Sequence, residues 1–352
     1  MKSIDIHQAN VIGLGAEKFA SGLVQHLLSL SEINISNVYI NKSAAGDGFG
    51  ANTNIIFANY FFGWFSRIFE IVFWRTYRTQ KHELLVLGDL PLNTSVKQYV
   101  LCHQSLMFKQ FPLFTSEFFK FALFRLLFKF FLKKNDVVLV QTNEMAKNIR
   151  NIVNERVHIE IIDLNSGYFS WPKFVRRGRR ELLQSDEAFE LIYPAAMYSH
   201  KNHRVLNMIQ ITDPFKVILT IDEKELGKTE NKIHCIGRVS REEIFELYKR
   251  VDALLFLSSN ESLGMPILEA VKCNIPIICP HAEYTKELSP ENCFFFDLED
   301  PLSLINAMEL AREKILDGWW PNWDFGAVVF DINSVAIQDI ILKKPNFPIG
   351  EF

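Results

Sequence analysis

Residues 258–270 read Ser-Ser-Asn-Glu-Ser-Leu-Gly-Met-Pro-Ile-Leu-Glu-Ala, so that two glutamates, Glu261 and Glu269, flank a Gly-Met-Pro turn. Proline suits the first position of a helix, and we expect a helix to begin near Pro266 with Glu269 in its first turn. The free N–H groups and the positive dipole end of such a helix favour a phosphate. Because two carboxylates beside it can accept hydrogen bonds from hydroxyls, the sequence predicts a ligand of the nucleotide-sugar kind.

Two short apolar stretches enclose this motif and make it part of a strand–helix–strand unit. Residues 253–257 precede the motif and residues 276–279 follow it, and both are typical of buried strands. Open α/β sheets bind ligands at the carboxyl ends of their strands, which is where the motif falls. The alternative is that one glutamate only begins the helix and that the other is an exposed loop charge.

The segment from Val239 to Ala311 resembles the carboxyl half of the retaining GT-B glycosyltransferases known as glycosyltransferase family 4. That family has a Glu, seven residues and a second Glu within a pattern like E-G-F-G-L-P-x-x-E-A. Residues 261–270 match it here as Glu-Ser-Leu-Gly-Met-Pro-Ile-Leu-Glu-Ala, whereas the amino half of the chain matches more loosely. The resemblance implies an α/β fold of the GT-B type, in which two doubly wound Rossmann-like domains face a cleft.

The order of the predicted elements indicates two α/β domains. A chain of 352 residues is long enough for two, and strand candidates alternate with helices in both halves. These strand candidates are residues 38–40, 54–57, 84–87, 98–101, 137–140, 191–193, 215–219, 233–236, 253–257 and 275–279. We predict an N-terminal Rossmann-like acceptor-binding domain over 1–170 and a C-terminal Rossmann-like nucleotide-sugar-binding domain over 171–318. By the resemblance, a C-terminal segment over 319–352 crosses back onto the first domain.

The loop after the strand candidate at 191–193 is expected to neutralise the donor diphosphate. In the family this loop carries an Arg and, a few residues later, a Lys. Lys201 matches the lysine, but the arginine position falls on Ala195 or Ala196, so the arginine is missing.

The tract His200-Lys-Asn-His203 offers polar groups in place of that arginine. It is similar to a branch of the family that has H-K-N-H here, so His200 and Asn202 are candidate donor-binding residues. His200 or His203 could supply the missing polarity. The alternative is that the two histidines only cap the following helix or face solvent.

Two further candidates lie in the first half of the chain. Gly13-Leu-Gly15 matches the family's glycine-rich loop, whose backbone approaches the donor phosphate where no side chain fits, although such a loop is often only a turn. His103 follows the strand candidate at 98–101, where the family places a His near the sugar and the acceptor. We assign His103 to sugar contact or acceptor positioning and not to the role of a base; a structural histidine is the alternative.

The resemblance also implies roles for the remaining site residues. Glu261 would hold hydroxyls of the donor sugar and Glu269 the ribose diol, so that Glu261, Lys201 and His103 form the catalytic set. The other donor-binding candidates are Ser262, Leu263, Gly264 and Met265 in the motif loop and Gly237, Arg238 and Val239 beside the base. In the mechanism proposed for such enzymes the acceptor attacks on the face that the diphosphate leaves, so the carboxylates are not the acid/base pair of a glycoside hydrolase.

The acidic residues do not suggest a metal site. No Asp-x-Asp follows a strand candidate, and the one close acidic run, Asp222-Glu-Lys-Glu225, is typical of a turn. A lysine together with helix N-termini can stabilise a leaving diphosphate in place of a metal. We therefore expect no metal and no cofactor, only a UDP- or GDP-linked sugar as co-substrate.

Composition and charge argue against several classes. The net charge of −3 gives no overall positive potential that would attract nucleic acid. The five cysteines are odd in number and lack a Cys-x-x-Cys pair, which favours neither a zinc ribbon nor a disulfide framework. The sequence begins without an apolar leader and has no run of about 18 uncharged apolar residues, so a cytoplasmic protein is expected.

Two stretches rich in Phe and basic residues, 60–81 and 117–134, are unusual in a chain that is acidic overall. On a helical wheel Arg125, Lys129 and Lys133 share one face, and Phe and Leu cover most of the rest. That pattern predicts helices that bind an anionic bilayer, peripheral at the inner face of the plasma membrane. The alternative is a core helix whose basic side chains reach solvent.

These observations predict a membrane-associated retaining hexosyltransferase with a nucleotide-sugar donor and a glycan or polyprenyl-linked acceptor. The resemblance implies a setting in bacterial surface polysaccharide synthesis, such as that of O-antigen, lipopolysaccharide or capsule. Two alternatives stay open: a non-catalytic GT-B partner subunit, because the diphosphate arginine is absent, and a nucleotide-sugar epimerase of the same fold.

Overall fold

The chain forms two compact units, residues 1–170 with 330–352, and residues 171–329. The computed structural model describes residues 1–11, 14–40, 53–57, 63–78, 81–153, 157–163, 171, 173–175, 187–227, 232–290, 292–325 and 334–342. Each unit is built on one parallel β-sheet with helices between successive strands. The prediction of two doubly wound, Rossmann-like α/β units is therefore confirmed.

The first unit contains a seven-stranded sheet among its described residues. Its strands are β1 (Lys2–His7), β2 (Ile33–Ile40), β3 (Asn54–Phe57), β4 (Glu83–Val86), β5 (Gln98–Leu101), β6 (Val137–Val140) and β7 (His158–Ile161). Its first four helices are α1 (Leu14–Ser29), α2 (Gly63–Tyr77), α3 (Ser116–Phe131) and α4 (Asn143–Arg150). The strands lie in the order β3-β2-β1-β4-β5-β6-β7, so the order reverses between β1 and β4, at a topological switch point.

The central strands of this sheet are apolar because they are buried. The twelve residues of β4, β5 and β6 are buried except for Glu83. Such apolar strands are typical of parallel sheets that are covered on both faces. Trp74 of α2 and Phe128 of α3, both 2% exposed or less, belong to the core that covers them.

Two of the three residues of the predicted basic face, on α3 and the turn after it, contact carbonyl groups of the protein itself. Arg125 donates to the Met107 carbonyl at 2.8 Å, and Lys133 donates to the Thr94 carbonyl. Both side chains turn back onto the protein and supply hydrogen bonds to backbone carbonyl groups. Lys129 alone of the three is exposed without such a contact to the backbone.

The outward face of α3 is apolar instead. Phe119, Leu126 and Phe130 are 57, 62 and 77% exposed, and they recur at a spacing that places them on one side of a helix. The turn before α3 adds Leu113 and Phe114, which are 68 and 85% exposed. We call these five residues the α3 outer face. In the part of the chain that the structure describes, no helix combines the length and the apolar character that crossing a bilayer requires.

The second unit contains a six-stranded sheet among its described residues. Its strands are β8 (Phe189–Tyr193), β9 (Phe215–Leu219), β10 (Ile233–Cys235), β11 (Ala253–Leu255), β12 (Ile277–Pro280) and β13 (Phe294–Phe296). Its helices are α5 (Glu223–Leu226), α6 (Arg241–Tyr248), α7 (Met265–Cys273), α8 (Glu283–Leu288) and α9 (Pro301–Leu316). The order β10-β9-β8-β11-β12-β13 reverses between β8 and β11, so the ends of these two strands form the ligand-binding edge expected of this unit.

All ten strand candidates of the sequence correspond to strands of the structure. Three strands were not predicted, namely β1, β7 and β13. The first two read Lys-Ser-Ile-Asp-Ile-His and His-Ile-Glu-Ile, and their alternation of polar and apolar residues hides them from a search for apolar runs. The third is only three phenylalanines long.

The end of the chain returns to the first unit. Val335 forms a parallel bridge with Ile162, and its N–H donates to the Ile161 carbonyl at 2.8 Å. A last helix, α10 (Ile337–Leu342), follows, and Lys2 Nζ donates to a carbonyl within it at 2.6 Å.

Residues 319–329, which the sequence places in this returning segment, lie in the second unit. Trp323 is held there because its backbone N–H donates to Asn274 Oδ1 at 3.0 Å. Asn274 directly follows α7.

Candidate functional site

The two-glutamate motif lies in the loop between β11 and α7. Helix α7 begins at Met265 with Pro266 in its first turn, which confirms the predicted start of a helix. Gly264 precedes it with a φ of +54°, and a Cβ at this position would lie 3.3 Å from Leu288 Cδ1. Because that conformation is costly for other residues, glycine suits the turn that leads from the first glutamate to the helix.

Lys201 and Glu261, which are 60 residues apart in the sequence, form an ion pair. Their side chains are only 16 and 13% exposed. Ser258 Oγ also donates to Glu261 Oε1, at 2.6 Å. The structure thus brings together two of the three residues of the predicted catalytic set, beyond the ends of the neighbouring strands β8 and β11.

A fully buried tyrosine ties the two loops to each other. Tyr193, the last residue of β8, contacts the Lys201 carbonyl and Ser258 Oγ with its hydroxyl, each at 2.9 Å. Burial raises the pKa of Tyr193 well above its usual range, so the hydroxyl keeps its proton. The Ser259 N–H donates to the His200 carbonyl at 2.7 Å and joins the same two loops through the backbone.

Glu269 is buried within α7 and is paired there. Arg241 donates to its Oε1 through Nε at 3.0 Å, and Arg241 Nη2 lies 2.9 Å from the same oxygen as part of the ion pair. Tyr248 donates to its Oε2 at 3.3 Å, and burial, together with this carboxylate, raises the pKa of the Tyr248 hydroxyl. A carboxylate offers about four lone-pair positions, and these partners hold Glu269 in one orientation.

The histidines beside Lys201 have different surroundings. His203 is 1% exposed, with its ring centroid 4.9 Å from that of Tyr193, and burial lowers its pKa to about 4. It is therefore neutral at pH 7 and supplies no positive charge in place of the missing arginine. His200 is half-buried and stacks on Tyr198 at 5.8 Å between ring centroids.

Asn202 lies between the two histidines with a φ of +53°, a left-handed conformation that asparagine adopts more readily than most residues. It ends one short 3-10 turn and begins the next. In the structure Asn202 therefore contributes the left-handed backbone conformation that joins the two turns.

The loop predicted to border the base leads directly to a partner of Glu269. Gly237 has a φ of +76°, and its N–H donates to the Ile221 carbonyl at 3.0 Å. Arg238 is exposed and Val239 half-buried, and α6 then begins with Arg241, the residue that holds Glu269. In the motif loop, Leu263 is buried, whereas Ser262 and Met265 are half-buried.

Gly13, Gly15 and His103 are the predicted site residues that belong to the first unit. Gly13 lies outside the described residues, and Gly15 lies in the first turn of α1. The backbone N–H of His103 donates to Asp89 Oδ1 at 2.8 Å, and the ring nitrogen Nδ1 of His103 lies 3.2 Å from the same oxygen. Asp89 has a φ of +69°, a conformation that is strained for most residues.

Four contributors to the site were missed by sequence reasoning. Asp89 lies two residues after the strand candidate at 84–87, so its place at the same sheet edge as His103 was a usable signal. Arg241 and Tyr248 lie in α6, and no local sequence pattern predicts that they contact a glutamate more than 20 residues later. Tyr193 ends a predicted strand and reads as an ordinary core residue.

Comparison with known proteins agrees with this description. Residues 219–311 match the family model for glycosyl transferases group 1, a segment that includes both glutamates of the motif. The chain is 33% identical over 78 residues to the serotype-specific mannosyltransferase WbdA of Escherichia coli, and 28% identical over 89 residues to the O-antigen biosynthesis glycosyltransferase WclY of the same organism. These matches cover 22 and 25% of this chain, but only 10 and 25% of the two relatives.

The similarity to solved structures extends over nearly the whole chain. Sucrose-phosphate synthase from Thermosynechococcus elongatus superposes with a TM-score of 0.65 at 14% identity, covering 94% of this chain and 96% of the other. HepE from Anabaena, in complex with UDP and glucose, superposes with a TM-score of 0.58 at 13% identity, covering 90 and 91%. At such identities the likeness shows the fold, which is that of the GT-B glycosyltransferases.

Proposed function

We propose that this protein is a retaining glycosyltransferase that moves a hexose from a UDP- or GDP-sugar to a glycan or lipid-linked acceptor in bacterial surface polysaccharide synthesis. One observation carries the proposal: Lys201 and Glu261 meet beyond β8 and β11, and Glu269 lies in the helix that follows. A cation paired with one carboxylate at the carboxyl ends of parallel strands, with a second carboxylate in the helix that follows, suits a diphosphate with a sugar at each end.

Donor binding in this proposal exchanges one partner of Lys201 for another. The Lys201 ammonium leaves the Glu261 carboxylate and contacts the diphosphate, and Glu261 accepts hydrogen bonds from hydroxyls of the transferred sugar. Lys201 and the first N–H groups of α7 then stabilise the negative charge that develops on the leaving diphosphate. The proposed reaction is independent of a metal ion.

Glu269 binds the ribose diol in this proposal. Its contacts with Arg241 and Tyr248 hold the carboxylate in one orientation before the ligand arrives, which lowers the cost of ordering it. The loop of Gly237, Arg238 and Val239, which precedes α6, borders the base.

The transfer step follows the retaining course. The bond between the sugar C1 and the diphosphate oxygen breaks, and the acceptor hydroxyl forms a new bond to C1 on the same face. The leaving phosphate takes the proton of that hydroxyl, so no protein base is required. His103, held by Asp89, positions the sugar or the acceptor.

The names of similar proteins support the setting. WclY is an O-antigen biosynthesis glycosyltransferase, WbdA is a mannosyltransferase, and the HepE structure holds UDP and glucose. We infer from them a hexose donor and a polysaccharide product for this chain.

We also propose that the protein binds the inner face of the plasma membrane through the α3 outer face. Five exposed apolar residues there lie beside Lys120, Lys129 and Lys134, which are exposed as well. Apolar side chains that enter the interface and lysines that meet anionic headgroups are the two contributions that bind interfacial helices. Helix α2, in the other Phe-rich stretch, exposes Phe69 and Phe73 by 51 and 45%.

A non-catalytic GT-B subunit is the second candidate function, and one observation favours it. The family's arginine position holds alanine, and the buried, neutral His203 does not replace its charge. Such a subunit would bind a nucleotide without turning it over. A nucleotide-sugar epimerase would instead convert its donor without any acceptor.

The proposal is tested by incubating the protein with UDP-glucose, UDP-galactose or GDP-mannose and a membrane extract that contains polyprenyl-linked glycans. We expect one donor to release its nucleoside diphosphate, with and without a metal chelator, and NMR to show the donor's anomeric configuration in the product. Nucleotide binding without release in this panel, or release with inversion, would contradict the proposal.

A further inference from the structure

Four oxygen atoms form a continuous row beneath the proposed donor site. They are the Lys201 carbonyl, the Tyr193 hydroxyl, the Ser258 hydroxyl and Glu261 Oε1, with successive distances of 2.9, 2.9 and 2.6 Å. Tyr193 and Ser258 are both fully buried. Ser258 is fixed further because Tyr284 donates to its backbone carbonyl.

The row contains fewer protons than contacts. The carbonyl and the ionised carboxylate at its two ends only accept, so two hydroxyl protons serve three contacts. When Ser258 donates to Glu261, Tyr193 can donate either to the Lys201 carbonyl or to Ser258. The second choice strengthens the bond from Ser258 to Glu261, because hydrogen bonds in a chain polarise one another.

We propose that Ser258 and Tyr193 are positioning residues that keep Glu261 in place when Lys201 leaves it for the donor diphosphate. This inference rests on the proposed function. As the ammonium departs, Tyr193 turns its proton from the Lys201 carbonyl to Ser258, and Ser258 donates more strongly to Glu261. The same turn releases the carbonyl of Lys201, so the loop that carries the lysine is freed as Glu261 is secured.

The row therefore affects the sugar end of the donor more than the nucleotide end. Glu261 contacts the transferred sugar, whereas free nucleoside diphosphate depends on Lys201 and Glu269. Loss of either hydroxyl should weaken the binding of a nucleotide-sugar while the affinity for UDP or GDP alone changes little.

The test compares Ser258→Ala and Tyr193→Phe with the wild type by calorimetric titration of UDP, GDP, UDP-glucose, UDP-galactose and GDP-mannose. Tyr99→Phe is the matched control, because Tyr99 is also fully buried and its hydroxyl donates to Glu83 at 2.9 Å in the first unit. Loss of a hydrogen bond to a charged group predicts that Ser258→Ala weakens the bound nucleotide-sugar about 10-fold and the free nucleotide less than about 2-fold. Tyr193→Phe should also weaken the nucleotide-sugar more than the free nucleotide, by a smaller factor than Ser258→Ala. Tyr99→Phe should change neither affinity.

Equal weakening of nucleotide and nucleotide-sugar in Ser258→Ala would overturn the inference and leave the proposed function standing. The inference would also be overturned if Tyr99→Phe weakened the nucleotide-sugar, relative to the free nucleotide, as much as Tyr193→Phe does. The effect would then follow from the loss of any buried tyrosine hydroxyl. A wild type that binds none of the five ligands would overturn the proposed function, and this inference with it.

Discussion

At the scale of single residues, Lys201 decides the charge balance of the site. Two carboxylates, Glu261 and Glu269, lie at the second unit's ligand-binding edge, and Arg241 already neutralises one of them. In the proposed mechanism Lys201 is the cation that donor binding redirects, and we expect the alanine at the position of the arginine to increase the dependence on Lys201.

We predict that Lys201→Met lowers kcat/KM for the donor about 100-fold or more, since it removes a charge aimed at the leaving group. Lys216→Met is the control, because Lys216 forms a comparable pair with Glu190 at 2.7 Å on β9 and β8. Initial rates of nucleoside diphosphate release measure both. A Lys201 variant that is no slower than the Lys216 variant would remove Lys201 from the catalytic set.

His203 makes a different contribution, to stability. Burial lowers its pKa to about 4, below the value of about 6.5 in an unfolded chain. The unfolded state therefore binds the proton more readily, so the stabilisation is complete above about pH 6.5 and is lost as the pH falls towards 4.

We predict that His203 makes the free energy of unfolding fall by about 2 kcal/mol between about pH 7.5 and pH 5. Urea unfolding of the wild type and of His203→Gln at both pH values measures this, and the variant should lack that part of the decrease. His158→Gln is the control, since His158 is 63% exposed. An unchanged pH dependence in His203→Gln would show that His203 is not buried and neutral.

At the scale of elements, α3 shows how one helix divides its side chains between a core and a surface. Phe121, Phe124 and Phe128 enter the core, and Arg125 turns back to a carbonyl. The apolar α3 outer face is left at the surface, where a bilayer would cover it.

We predict that changing Phe119, Leu126 and Phe130 together to Ser abolishes cosedimentation with vesicles of anionic phospholipid, because it removes the apolar burial that drives insertion. The control changes Leu302 and Leu310 of α9, which are 69 and 46% exposed in the second unit. Circular dichroism checks that both variants are folded. Wild-type protein that stays in the supernatant, or equal losses in the two variants, would contradict membrane binding through α3.

At the scale of the whole molecule, the sequence was sufficient for the α/β architecture and for the start of the helix that carries Glu269. Apolar runs located ten strands, and the Gly-Met-Pro turn located the start of α7. These features are local, because a strand or a helix start depends on neighbouring residues.

The features that could not be predicted are those that join distant parts of the chain. The contact of Arg241 with Glu269 and the row through Tyr193 each depend on which loops the fold brings together. The direction of Arg125 depends on a carbonyl 18 residues away, so the helical wheel assigned it to the wrong environment. Helical periodicity identifies a face, but the neighbours of that face decide what each side chain does.

The most direct test of the account is thermal unfolding of the wild type, of Glu269→Gln and of Glu190→Gln, each with UDP, with GDP and without nucleotide. A nucleotide at about 100 times its dissociation constant adds about 2.7 kcal/mol of stability, which is readily visible as a higher midpoint. We predict that one of the two nucleotides raises the midpoint of the wild type and of Glu190→Gln, and that Glu269→Gln loses most of this shift. No shift with either nucleotide, or an equal shift in Glu269→Gln, would contradict a nucleotide-sugar site at the β11–α7 motif.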